Sequence, residues 1–345
     1  MNLLLQHWSF DPVLVVLAAA ACVHAVGLYR RLRSLRAAGR PSPLGREWRL
    51  RAASFYAGLL VMAVAICSPI DYWADHYLFA HMIQHILLAF FAPPLIVLGA
   101  PWLSLQRGLP RPVRVGFARL AQRLRRRAAL RRTGNLLADP RTALLAFNVD
   151  MVIWHLPGPF DLAERNSSVH IWGEHGGFIV FGVLLWLHLL DSPPLRPRLT
   201  RPQRVAAALA TNAVMVAIAV SLVLFSHRAY PVYAHVGPGL FGQTADQQIA
   251  GSALWICGEF TLAPTIYWNT MQFLREQAGW RRPRRVPPWT RRARTWATVS
   301  PAQAEMGWRD QSSLLKVLPM FAARRAGPAA AGTTPASRDG PGPAG

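Results

Sequence analysis

Seven stretches of this chain, 15 to 26 residues long, run almost free of charge and are set apart by segments that hold nearly all of it. The core of a bilayer offers no water to bond exposed N–H and C=O groups, so an apolar run of about 20 residues crosses it only as a helix whose backbone bonds close internally. The pattern predicts an all-α fold: a polytopic membrane helical bundle of seven transmembrane helices at residues 12–29, 52–70, 77–98, 142–156, 169–190, 205–226 and 246–271. The fourth run is the shortest and contains Asn148 and Asp150, which leaves open a start as early as Leu136. The bundle is assigned to residues 1–275. Residues 276–345 form a basic and then Pro-, Ala- and Gly-rich tail, too poor in large apolar groups to pack and therefore expected to be disordered.

With 38 Lys and Arg against 16 Asp and Glu, the formal charge is +22, which in a soluble protein would point to nucleic acid. A mean hydropathy of +0.20 and the placement of the charge point elsewhere. Residues 30–51 carry 8 Lys or Arg, 101–141 carry 11, 191–204 carry 4 and 272–300 carry 8. Residues 1–11, 71–76, 157–168 and 227–245 together carry two, Arg165 and Arg228. Basic residues stay on the cytoplasmic side of a membrane protein, so this alternation puts the N-terminus outside and the C-terminus inside. The expected partner of the basic side is a bilayer with anionic head groups and not nucleic acid; the run from Arg123 to Arg132 is read as a solvated loop facing lipid phosphates. The arginine-poor side carries the interface aromatics Trp8, Tyr72, Trp73, Phe160, Tyr230, Tyr233 and Phe241. Cys22, Cys67 and Cys257 lie singly within apolar blocks with no CxxC pairing, which argues against a disulfide framework or zinc knuckle. The first residues carry no positive charge and no small-residue cleavage pattern, so the first helix is expected to stay in the membrane.

Nine of the eleven histidines fall on the arginine-poor half: His7, His76, His81, His85, His155, His170, His175, His227 and His235. Histidine is unfavourable against lipid, so those within spans should face the bundle interior. In AHMIQHILLAF, His81 and His85 are four residues apart, which on an α-helix leaves them about 40° apart on one face and one turn apart in height. In VHIWGEHGGF, His170 and Glu174 share a face by the same spacing, while His175 falls about 140° round from His170 on an α-helix, giving two surfaces. His155 closes the fourth span beside the helix-stopping Pro157 and Gly158. A single membrane histidine is as readily an interhelical hydrogen-bonding group, but imidazoles from several helix ends at one depth resemble a transition-metal site, with copper favoured over hard cations. Met82, Cys67 and Met151 are candidate softer ligands. Asp150, Glu174 and Glu259 lie within spans and should be protonated or paired. Asp246 and Gln247 open the seventh span, where an N-cap role competes with a functional one. Trp186 and Trp255 are read as packing residues.

The segments HMIQHILL, WHLPGPFDLA, VHIWGEHGGFIVFGVLLW, RAYPVYAH and ADQQIAGSALW resemble, in that order, the polytopic CtaG family of bacterial cytochrome c oxidase assembly proteins, over about residues 72–268. The resemblance implies a non-catalytic assembly role in a bacterial plasma membrane, with cytochrome c oxidase subunits as partners. It also implies copper as the metal handled on the outer side, no haem, and a metal set of His81, His85, His155, His170 and His175. Two other readings compete. A bis-histidine membrane cytochrome would need histidines at matched depth on two helices, whereas these crowd one boundary. A proton-coupled transporter could use the intramembrane carboxylates, but the chain lacks the internal repeat that many such folds show. No nucleophile elbow, HExxH or paired-carboxylate motif points to hydrolase chemistry.

Overall fold

A computed structural model describes residues 7–39, 46–224, 229–235 and 242–279. These residues form helices and no β-strand. The chain opens with α1 (Val13–Ala37) and α2 (Arg46–Cys67), turns through the short α3 (Pro69–Ala74), and enters α4 (Leu78–Ile86), which passes through a π-helical turn at Leu87–Phe91 into α5 (Ala92–Gly99). The basic segment that follows is helical: α6 (Trp102–Gly108), α7 (Arg111–Arg126) and α8 (Ala128–Leu137). Then come α9 (Pro140–Trp154), α10 (Pro157–Arg165), a second π-helical turn at Val169–His175 running into α11 (Gly176–Leu189), α12 (Arg201–Leu224) and α13 (Gln243–Gln277). Among the described residues, five helices are long and apolar enough to cross a membrane: α1, α2, the run Leu78–Gly99, α12 and α13. The fourth and fifth expected spans correspond to α9, 15 residues long, and to the run from Val169 through α11. The tail beyond residue 279, His227 and Phe241 lie outside the described residues.

Two expectations change. The fourth span does not begin near Leu136: α8 ends at Leu137, and a new helix starts at Pro140, where the Asp139 side chain accepts from the Arg141 N–H at 2.9 Å. An N-cap aspartate with proline at the first helical position specifies a helix start here. The Arg123 to Arg132 run is not a loop but the junction of α7 and α8. Along α7, Val113, Phe117, Leu120 and Leu124 recur at helical spacing and stay exposed, while Arg111, Arg114, Arg119 and Arg123 occupy the rest of its circumference.

Close helix packing uses small residues. A Cβ on Gly27 would sit 1.7 Å from the Ser104 carbonyl oxygen, and one on Gly108 would sit 1.8 Å from that of Val23, so α1 and α6 meet backbone to backbone. The first π turn has a local cause. Pro93 and Pro94 lack the N–H groups that would bond to the carbonyls of Ala89 and Phe90. The buried Trp186 of α11 donates its indole N–H to the Ala89 carbonyl at 3.2 Å, satisfying one of them. One core runs along the bundle through Phe55, Phe90, Phe147, Phe178, Leu185 and Trp186. A smaller one, with Leu78, Met82, Phe160, Tyr230 and Tyr233, covers its arginine-poor end.

Candidate metal centre

The arginine-poor end gathers the sequence-predicted histidines, and the second π turn explains how. In a π helix the N–H of each residue bonds to the carbonyl five back, so residues five apart stack. His170 and His175 bracket that turn, and their ring centroids are 4.2 Å apart. The 140° separation expected from α-helical geometry is therefore corrected: both imidazoles face one interior. On α4, His81 and His85 have centroids 4.1 Å apart, as their spacing predicts. Across the gap, His81 and His170 are 5.4 Å apart and His85 and His175 are 5.9 Å apart.

Glu174 lies at the centre and is wholly buried. Its Oε1 is 3.3 Å from His85 Nε2 and 3.9 Å from His81 Nε2, and its Oε2 is 3.7 Å from His170 Nδ1. Two groups, His81 with His85 and Glu174, and His170 with Glu174 and His175, each bring a potential ligand atom from every member within 4.8 Å of the others. Glu164 on α10 closes one side, its Oε1 lying 3.3 Å from His81 Nδ1 and 3.1 Å from His170 Nδ1. Burial alone would raise the Glu164 carboxyl, but the imidazoles of His170 and His81 lying against it hold it below its ordinary value.

Among the described residues, neither ring nitrogen of His81 or His85, neither oxygen of Glu174, and neither Nε2 of His155 nor Nε2 of His175 has an aligned hydrogen bond. Buried polar atoms are ordinarily satisfied, and leaving one unsatisfied costs on the order of 1–3 kcal/mol. So many convergent orphans have the form of a ligand shell. The donor set of imidazole and carboxylate suits Cu(II), zinc, iron or nickel, and it lacks the thiolate and thioether donors that select Cu(I). Met82 packs in the smaller apolar cluster, and Met151 and Cys67 in the main core; Cys67 belongs to neither group of converging ligands. His155 stands beside the two groups. Its ring is 5.8 Å from His85, and its Nδ1 is 2.7 Å from the Met151 carbonyl. His7 stacks on Tyr72, His76 Nδ1 meets the Tyr72 carbonyl at 2.9 Å, and His24 Nδ1 meets the Tyr56 hydroxyl at 3.1 Å, so these three have structural partners.

Residues distant in sequence hold the centre in place. Asp246 of α13 accepts from the backbone N–H groups of Leu78 and Phe79 at 2.8 and 3.0 Å, capping the histidine helix α4 from outside it. Gln247 accepts from the Ala229 N–H and donates to the Leu222 carbonyl. Tyr230 donates to the His155 carbonyl at 2.9 Å, and Tyr233 to the Ala74 carbonyl at 2.7 Å; burial pushes both hydroxyls up, keeping them donors. Gln84 donates to the Ala65 carbonyl and to Asp71 Oδ1, fixing the residue beside His85. Asp150 accepts from the Trp154 indole at 2.9 Å, and Gly177 makes room for it, since a Cβ there would lie 2.7 Å from Asp150 Oδ1.

A cleft of about 270 Å³ reaches the centre, lined among others by Asp11, Asp71, Asp75, Glu164, His170 and His175. Its carboxylates give a cation an attractive path to the imidazoles. Glu174, expected only to be protonated or paired, Glu164 and Asp246 are the principal site residues that sequence reasoning missed or left undecided. Glu164 lay in a presumed loop, and the 168-residue separation of Asp246 from Leu78 left no local signal.

A family model described as cytochrome c oxidase caa3 assembly factor matches residues 12–276, more than half of the chain. Two uncharacterised proteins, from Mycobacterium bovis and Mycobacterium tuberculosis, are each 25% identical to it over 274 residues, covering 78% of this chain. The chain spans 40% of the length of these curated relatives. No solved structure matches it.

Proposed function

The chain belongs to the cytochrome c oxidase caa3 assembly factor family, and from that premise we propose that it binds copper at the histidine–glutamate centre and supports its delivery to an oxidase subunit, without catalysing a reaction of its own. One observation carries this reading: five ligand-capable side chains, the buried His81, His85, His175 and Glu174 and the partly buried His170, converge with most of their polar atoms unsatisfied. In this reading seven segments cross a bacterial plasma membrane with the N-terminus and the centre outside and the C-terminus inside, as the basic-residue asymmetry favours. An outer centre would meet copper without importing it. The amphipathic α7 would lie along the inner leaflet, its apolar stripe among the acyl chains and its arginines on anionic head groups.

The test is a deletion strain. Activity of a copper-containing oxidase should fall while transcription of its subunits is unchanged, and added copper should partly restore it. An oxidase with normal activity in that strain would contradict the reading. Absorption of the purified protein should show no Soret band, which a bis-histidine haem would require.

A further inference from the structure

Glu174 presents its two carboxylate oxygens to two different pairs of imidazoles. Oε1 faces His81 and His85 of α4, and Oε2 faces His170, which the π turn sets beside His175. Each pair with Glu174 forms a complete three-residue group, and the only member the two groups share is Glu174. The two are separate three-residue sets, each with its ligand atoms within 4.8 Å of one another, and they meet at the two oxygens of one carboxylate. Resting on the copper reading above, we propose that the centre holds two divalent copper ions at once, one on His81 and His85 and one on His170 and His175, with the Glu174 carboxylate bridging them.

Charge compensation for two divalent cations needs more than Glu174: Glu164 supplies a second carboxylate lying against both His81 and His170, and Asp71 and Asp75 line the adjoining cleft. Paired ions held by carboxylates and imidazoles on facing helices are an established way for a bundle to build a binuclear site. Among the described residues no cysteine belongs to the converging groups, and their imidazole and carboxylate donors suit the oxidised ion.

The test is to strip the full-length protein in mild detergent, titrate it with Cu(II), and measure copper per protein together with the electron paramagnetic resonance spin count. The proposal expects two coppers per protein and a spin count well below the copper content, because bridged ions couple. His85→Ala and His175→Ala should each retain one copper, now counted in full. Glu174→Gln should remove the coupling. If either histidine variant is not monodisperse on gel filtration, His81→Ala or His170→Ala replaces it at the same half of the site. One copper per wild-type protein, with every spin counted, overturns the bridged pair and leaves the copper reading standing. Two fully counted coppers overturn the shared carboxylate. No bound copper overturns both the pair and the copper reading.

Discussion

His81 and His85 approach Glu174 through the same oxygen, at 3.9 and 3.3 Å, so they should act as one unit. His81→Ala and His85→Ala are each expected to lose as much copper as the double variant, because ligands of one shared ion are not additive. Metal analysis per folded protein checks this, and a double variant losing twice what either single loses would show that the two rings act independently. The cleft makes a second expectation at this scale. Burial pushes the Asp71 carboxyl up against the opposing hydrogen bond from Gln84, and neighbouring Asp75 adds to the rise. Asp71 therefore takes up its proton at a higher pH than an ordinary carboxylate, whose value is about 4. Above that raised value it is negative and attracts a cation; below it the attraction is gone. Asp71→Asn, which keeps an acceptor for Gln84, should load Cu(II) several-fold more slowly at neutral pH. The ratio of wild-type to variant loading rates, measured by stopped flow, should approach one as the pH falls through the raised value. Taking the ratio cancels the protonation of the imidazoles common to both proteins, and a pH-independent ratio would contradict this role. Individual histidines were legible in the sequence because an imidazole in an apolar run is costly and needs a reason. Glu164 was not, because a carboxylate beside Arg165 in a polar segment reads as solvated surface until α10 folds over the site.

Among the elements, the long apolar helices were legible because hydropathy is a local property, but their charged ends were not: α1 runs on to Ala37, α2 starts at Arg46 and α13 ends at Gln277, six to eight residues beyond the apolar runs. Nor were the π turns. The one at Leu87–Phe91 answers to two prolines downstream, and the one at Val169–His175 moves His175 onto the face of His170, so α-helical angles gave the right residues in the wrong orientation. Extra-residue turns of this kind occur frequently at functional sites, where they re-aim side chains. Asp246 makes the same point between elements. Its two bonds close the N-terminus of α4 only after α13 has packed there, and no spacing along the chain announces them. Asp246→Ala should cost about 0.5–2 kcal/mol, the usual range for a lost cap. It should also weaken copper binding, since His81 lies one turn from the uncapped end. Asp246→Asn, which keeps one acceptor, should do less of both. Thermal unfolding in detergent and a copper titration measure the two effects; Ala and Asn variants that both match wild type would show that the cap does not position the helix.

For the molecule as a whole, fold class was legible because the bilayer permits so few solutions, and the same constraint places buried polar groups where function requires them. The bundle puts two histidine-bearing helices, an acidic cleft and their supporting loops at one end, and the basic helices α6 to α8 come from the opposite loop. Copper per folded protein is the most direct measure of whether that end is a metal centre. Purified wild-type protein exposed to Cu(II) and freed of excess should retain copper. The fourfold variant His81→Ala, His85→Ala, His170→Ala, His175→Ala should retain none at equal abundance in the membrane, and His188→Ala, buried at the basic end of α11, should match wild type. Wild-type copper content in the fourfold variant, or a loss that merely tracks falling abundance, would contradict the account.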